Sequence, residues 1–340
     1  MASQTTATIL GLLAAALFGA GAPLAKLLLP GAGPVLLAGL LYLGAGAGLL
    51  PLRSRGEAKL ARSDAPALIG VILFGGVAGP VLLLWGLARL TAVSASLLLN
   101  LEAPLTIALA VALFGEHLGR LEVLGALLIV GGGALLGFEP AQPSAAGALA
   151  IALACACWAV DNNLIQKLSL KDPLQVVRIK SLAAGAVNLT LGLAAGAALP
   201  GPRVLAAALA LGAVSYGASL VFHLRAQRAL GAARQSALFA TAPFVGALVA
   251  VPLLKERLGS LDVAAGALML AGVAALVRAR HGHLHKHAPI EHEHLHFHDE
   301  HHQHAHGSDQ PHSHLHQHEP LTHEHPHVSD AHHRHKHSFD

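Results

Sequence analysis

The chain is 340 residues long, 54% hydrophobic and only 12% charged, with a mean hydropathy of +0.57, whereas an ordinary soluble domain is about 25% charged. A soluble globular enzyme and a wholly disordered polymer are both excluded. The formal charge of +3 is a cancellation between residues 1–280, net +9, and residues 281–340, net −6, and 23 of the 25 histidines lie in the second piece.

A helix crosses the hydrocarbon layer with about 20 apolar residues, because the layer is roughly 30 Å thick and each residue rises about 1.5 Å. Runs of this kind fall at 7–29, 33–52, 67–88, 93–114, 120–138, 146–166, 174–199, 203–222, 235–254 and 261–279. The first run has no lysine or arginine before it and no cleavage signal after it, so it reads as a span rather than a removable leader. The expectation is an all-α integral membrane protein of ten spans. Glycine pairs at four-residue spacing, Gly44/Gly48, Gly75/Gly79, Gly133/Gly137 and Gly192/Gly196, predict close helix crossings, since lipid offers helices no hydrophobic drive to associate.

In the fourth run Asn100, Glu102 and Pro104 break an apolar stretch. A buried carboxylate in a membrane helix is costly and marks a candidate transport path, and the proline frees a backbone carbonyl. The sixth run holds Cys155, Cys157 and Asp161-Asn162-Asn163. Two cysteines cannot frame a disulfide scaffold. On a helix Cys157 and Asp161 share a face, making a candidate soft-plus-hard metal-ligand pair; the bland alternative is a small buried cysteine and a helix-end polar cluster. Asn188 with Ser181 marks the seventh run, and Tyr216, Ser219, His223 and Gln227 form a polar stripe along the eighth. Pro243 occupies in the ninth run the place that Pro104 has in the fourth.

That correspondence is part of a repeat. Glu102-Ala103-Pro104 followed by Gly115-Glu116-His117-Leu118-Gly119 is echoed about 140 residues later by Thr241-Ala242-Pro243 and Lys255-Glu256-Arg257-Leu258-Gly259, and Phe18 to Lys26 is echoed by Trp158 to Lys167. Five spans per copy invert the second copy in the membrane, so a site is expected near the midplane between the halves. Glu116 and Glu256 are expected to serve structure, pairing with His117 and Arg257 or with helix N-termini.

Ten spans in two copies, an aromatic and then a lysine in the first helix of each, x-Ala-Pro in the fourth and Glu-x-Leu-Gly before the fifth resemble the drug/metabolite transporter superfamily, EamA type. The resemblance implies two five-helix repeats, 7–139 and 146–279. With the histidine tail added, the chain is similar to the nickel, cobalt and cadmium resistance membrane proteins.

The tail, 281–340, carries six alternating clusters: His281, His283, His285 and His287; His292, His294, His296 and His298; His302, His304 and His306; His312, His314, His316 and His318; His323, His325 and His327; and His333, His335 and His337. In an extended chain His-x-His places both imidazoles on one side. Such sets suit nickel, cobalt, copper and zinc, and with 11 apolar residues the segment is too poor in hydrophobic surface to fold without metal.

With the N-terminus in the cytoplasm, twelve lysines and arginines fall in cytoplasmic loops or ends and four on the opposite side, which favours both termini inside a plasma (inner) membrane. No phosphate-binding Gly-x4-Gly-Lys-Ser/Thr and no Gly-x-Ser-x-Gly occurs, so neither ATP hydrolysis nor other enzymatic activity is expected. Three readings follow. The first is a proton-driven exporter of nickel or cobalt, with cadmium or zinc as further cargo, using Glu102, Asp161 and His223. The second is a metabolite exporter regulated by metal on the tail. The third is a non-transporting metal sensor or buffer. No resident cofactor is required; the partners are membrane lipid, divalent metal ions, and a separate efflux pump or a second copy, with no nucleic acid.

Overall fold

The structure, a computed structural model, describes residues 4–53, 58–114, 119–137, 145–168, 171–230 and 232–279, and in the tail 282–286, 290–296, 312–318 and 322–326. Nine described helices are long and apolar enough to cross a membrane: α1 (Gln4–Ala32), α3 (Arg62–Leu87), α4 (Ala92–Ala112), α5 (Arg120–Gly137), α6 (Ala145–Ile165), α7 (Pro173–Ala194), α8 (Pro202–Gln227), α9 (Arg234–Leu254) and α10 (Ser260–Arg278). The tenth, α2 (Pro34–Leu49), has 16 residues. At about 1.5 Å per residue it falls short of the roughly 30 Å layer, because Pro51 cannot continue the helix that the run 33–52 suggests.

Alanines fill the inside together with large aliphatics such as Leu37, Leu87 and Ile151, while many other large aliphatics face outward. Ala14, Ala25, Ala154, Ala184 and Ala250 are fully buried, while Leu127, Leu149 and Leu248 are at least 60% exposed. An aqueous protein would not present so much aliphatic surface; this is the outer face of a bundle in lipid. The helices pair about a pseudo-twofold relation, α2 on α7, α5 on α10 and α4 on α9, with α1 against α8 matched by α6 against α3. Helices α2, α4 and α5 thus meet their own counterparts in the other half, while α1 and α3 exchange partners, α1 meeting α8 and α3 meeting α6.

Glycine permits these crossings. A Cβ on Gly44 would lie 2.2 Å from the Leu209 carbonyl oxygen, and one on Gly272 would lie 2.7 Å from that of Gly125. Gly196 is different: it follows the end of α7 at φ +86 with open space around it, a turn residue rather than a packing one.

Two helices are π-wound in part, at Val71–Ala78 in α3 and Gly212–Ala218 in α8. These segments occupy equivalent places in the two repeats, and such bulges commonly mark functional regions. The fourth helix of each repeat is interrupted before its proline, α4 by a 3-10 turn at Leu99–Leu101 and α9 by a turn at Ala240 and Thr241.

In the tail, Gly282–Lys286 pairs antiparallel with Thr322–Pro326, and Ile290–His296 with His312–His318. The register places His283 opposite His325, His285 opposite His323, His292 opposite His316, His294 opposite His314 and His296 opposite His312. The sequence leads one to expect no regular structure here. Period-two alternation is compatible with strands, but isolated two-stranded pairs are marginal in water, so these ladders do not amount to a folded domain. His281, His287, His298, His302, His304, His306, His327, His333, His335 and His337 lie outside the described residues.

Candidate functional site

The interrupted helices α4 and α9 face each other across a cavity of about 610 Å³. Asn100, Glu102, Asn162, His223 and Pro243 line it, with aromatic walls from Phe18, Trp158 and Phe239. Its position along the bundle follows from the helix ends. Asn162 is three residues from the end of α6, His223 four from the end of α8, and Ser236 two from the start of α9, all ends on the side from which the tail leaves α10. At the other extreme the lining reaches Ser96, one turn into α4.

Glu102 begins the α-helical stretch after the 3-10 turn of α4. Its Oε1 accepts from Asn162 Nδ2 at 2.8 Å, and the same amide nitrogen lies 3.4 Å from Thr106 Oγ1. A neutral amide orients the carboxylate without cancelling its charge. Asn100 is held at the break, donating to the Leu97 carbonyl at 2.9 Å with Met269 Sδ at 3.9 Å. His223 shares a 3.1 Å hydrogen bond between its Nδ1 and Gln235 Nε2, and its ring stands edge-on to Phe239 at 4.8 Å between centroids. Pro104 is buried in α4 beside the site, and Pro243 opens the second part of α9.

Asp161 belongs to a neighbouring layer. It is buried and forms a salt bridge with Lys180 of α7. Gly75, within the π-segment of α3, makes room: a Cβ there would sit 2.2 Å from the Asp161 carboxyl carbon. The Gly75 carbonyl accepts from Tyr42 Oη at 2.8 Å and from Trp158 Nε1 at 3.2 Å, and the next carbonyl, Gly76, accepts from Asn188 Nδ2 at 3.2 Å. Trp158 therefore touches both the cavity and this layer. Ser219 is buried and does not line the cavity, donating to the Ser215 carbonyl of the π-segment in α8. The polar stripe along α8 is split in consequence, since the wider winding turns Ser219 to the backbone while His223 stays on the cavity.

Cys155 points its thiol at the Leu98 carbonyl, 3.7 Å away, and Cys157 is half-buried. With Lys180 on Asp161, the carboxylate proposed as partner for Cys157 already holds a cation. Among the described residues no three His, Cys, Asp or Glu side chains gather as a metal cage. Glu256 accepts from two backbone N–H groups at the start of α4, Ala92 at 2.8 Å and Val93 at 3.0 Å, and pairs with Lys26 at 3.1 Å. Glu116 and His117 lie outside the described residues.

Several of these groups escape a reading of the sequence. Lys180 sits in the seventh apolar run with Arg178 two residues before it, and that pair of charges is its signal. Phe18 and Trp158, now two walls of one cavity, were visible as a repeated pair.

The model of the EamA-like transporter family matches the chain twice, over residues 5–138 and 145–278. The chain belongs to the EamA-like transporter family. Each match covers one five-helix repeat, and the tail lies beyond both. An uncharacterized transporter of Methanothermobacter thermautotrophicus is 32% identical over 282 residues, spanning 76% of this chain and 82% of its own length. A solved crystal structure with a TM-score of 0.57 is 23% identical and covers 81% of this chain and 98% of its own, a likeness of fold alone. The EamA assignment makes the molecule a multi-pass membrane transporter and not an enzyme, and it leaves the cargo open.

Proposed function

We propose that this EamA-type transporter exports a small organic solute bearing an ammonium or similar donor group, with Glu102 as its receptor, and that the histidine tail is a metal-binding regulatory segment. The observation that carries the reading is the cavity itself. Its volume of about 610 Å³ falls in the range of small-molecule sites, roughly 300–1,000 Å³. A carboxylate oriented by Asn162, facing aromatic surfaces of Phe18, Trp158 and Phe239, suits an organic cation through charge and cation–π attraction.

Export of nickel or cobalt finds less support inside the bundle, where Glu102 and His223 are the ligand-type side chains on the cavity. Metal chemistry is concentrated in the tail, whose His-x-His sets favour divalent transition ions. The charge bias of the loops supports a cytoplasmic tail in the plasma membrane.

The test is uptake by everted membrane vesicles of a panel of labelled primary amines and amino acids. At least one should accumulate with the wild-type chain and not with Glu102→Gln. Accumulation of none of them, with nickel-63 accumulating instead, overturns the proposal.

A further inference from the structure

At the end of the cavity away from the tail, beyond Ser96, side chains of the two repeats join. Lys26 of α1 donates to the Leu90 carbonyl, just before α4, and pairs with Glu256 at 3.1 Å. Glu256, in the loop between α9 and α10, accepts from the Ala92 and Val93 N–H groups. At the next residue, Ser94 Oγ donates to Asp262 Oδ1 of α10 at 2.8 Å. Lys26, Leu90, Ala92 and Val93 belong to the first repeat, and Glu256 and Asp262 to the second. The carboxylate of Glu256 thus meets an ammonium and the positive end of a helix together, both from the opposite half. Ser96, one turn beyond Ala92, is already cavity wall.

We propose that Lys26 and Glu256 are gating residues: their contact holds the path shut on the face opposite the tail, and its rupture lets that face open. The inference rests on the cavity being the transport path. Solutes reach a site between inverted repeats from alternate faces as the halves rock, so a charged clamp spanning the halves at one mouth must break in each cycle. The sequence carries the same pair of residue types, Lys167 and Glu116, at the matching positions of the other copies. Lys26 and Glu256 are 24% and 12% exposed, within reach of water when the mouth loosens.

The test needs no cargo. In the full chain with both native cysteines replaced by alanine, Ala103→Cys places one thiol on the cavity wall, where Ala103 is exposed. Labelling by a membrane-impermeant maleimide is compared from the two faces, the tail face being identified by a separate Phe339→Cys variant. The thiol should react from the tail face, and this alone tests the premise that the cavity is an open path. From the opposite face it should be protected with Lys26 or with Lys26→Arg. With Lys26→Gln or Glu256→Gln its labelling there should rise at least about tenfold, since a minor state starts from roughly 0.1–10%. Lys26→Gln retains the Glu256 contact with α4, and unchanged tail-face labelling shows that the bundle is intact. Equal protection in Lys26→Gln and Lys26→Arg overturns the gate, as does free labelling from the opposite face with the clamp unaltered.

Discussion

Asp161 and Lys180 define the energetics of single residues in this bundle. Neutralising one member strands the other charge away from water, and breaking a buried pair costs about 3–5 kcal/mol. Asp161→Asn is therefore expected to lower the thermal midpoint in detergent strongly, whereas Asp161→Asn with Lys180→Met should recover most of the loss, because an apolar replacement of the whole pair leaves no uncompensated charge. Equal midpoints for the single and double variants would refute this. Both residues are legible in the sequence as charges within apolar runs. Their pairing is not, because periodicity along one helix says nothing of how two helices are rotated about their axes. The same holds for Glu102, which stands out as a membrane carboxylate while Asn162, its partner in space, lies 60 positions on.

At the scale of elements, glycine decides how closely helices cross. Gly272 of α10 approaches Gly125 of α5 so closely that even one methyl group would meet the facing carbonyl at 2.7 Å. Gly272→Ala should cost about 1–3 kcal/mol through overpacking. Gly131→Ala, on the same α5 but with open space around it, removes only backbone freedom and should be neutral or stabilising by up to about 1 kcal/mol. Thermal melting of the two variants checks the contrast. Ten apolar runs and the two proline sites were readable from composition and repeat. The π-segments were not, since an extra residue per turn leaves no mark in stretches such as Val71–Ala78 that are apolar throughout. The segment in α3 presents the Gly75 and Gly76 carbonyls to Tyr42, Trp158 and Asn188, so the layer around Asp161 becomes visible only in three dimensions.

The whole molecule joins two materials with separate physics. The bundle is held by small-residue packing between the repeats, and the tail is a histidine-rich segment with 11 apolar residues in 60. Truncation after Arg280 should leave the melting midpoint of the bundle unchanged while abolishing tight nickel binding measured by calorimetry. In the intact chain that binding should weaken as pH falls from about 7.5 to 5.5, because imidazole near its ordinary pKa of about 6.5 binds either a proton or a metal. Persistent tight binding after truncation would place a metal site in the bundle. Under the proposed function, the histidine excess that dominates the composition serves regulation, and the cargo is set by the few polar groups around Glu102. The most direct measurement of that claim is flux through purified protein in proteoliposomes, comparing the full chain, the chain truncated after Arg280 and Glu102→Gln, each with a labelled organic amine and with nickel-63. The account predicts amine flux that survives truncation and disappears in Glu102→Gln; nickel flux that requires both Glu102 and the tail would contradict it.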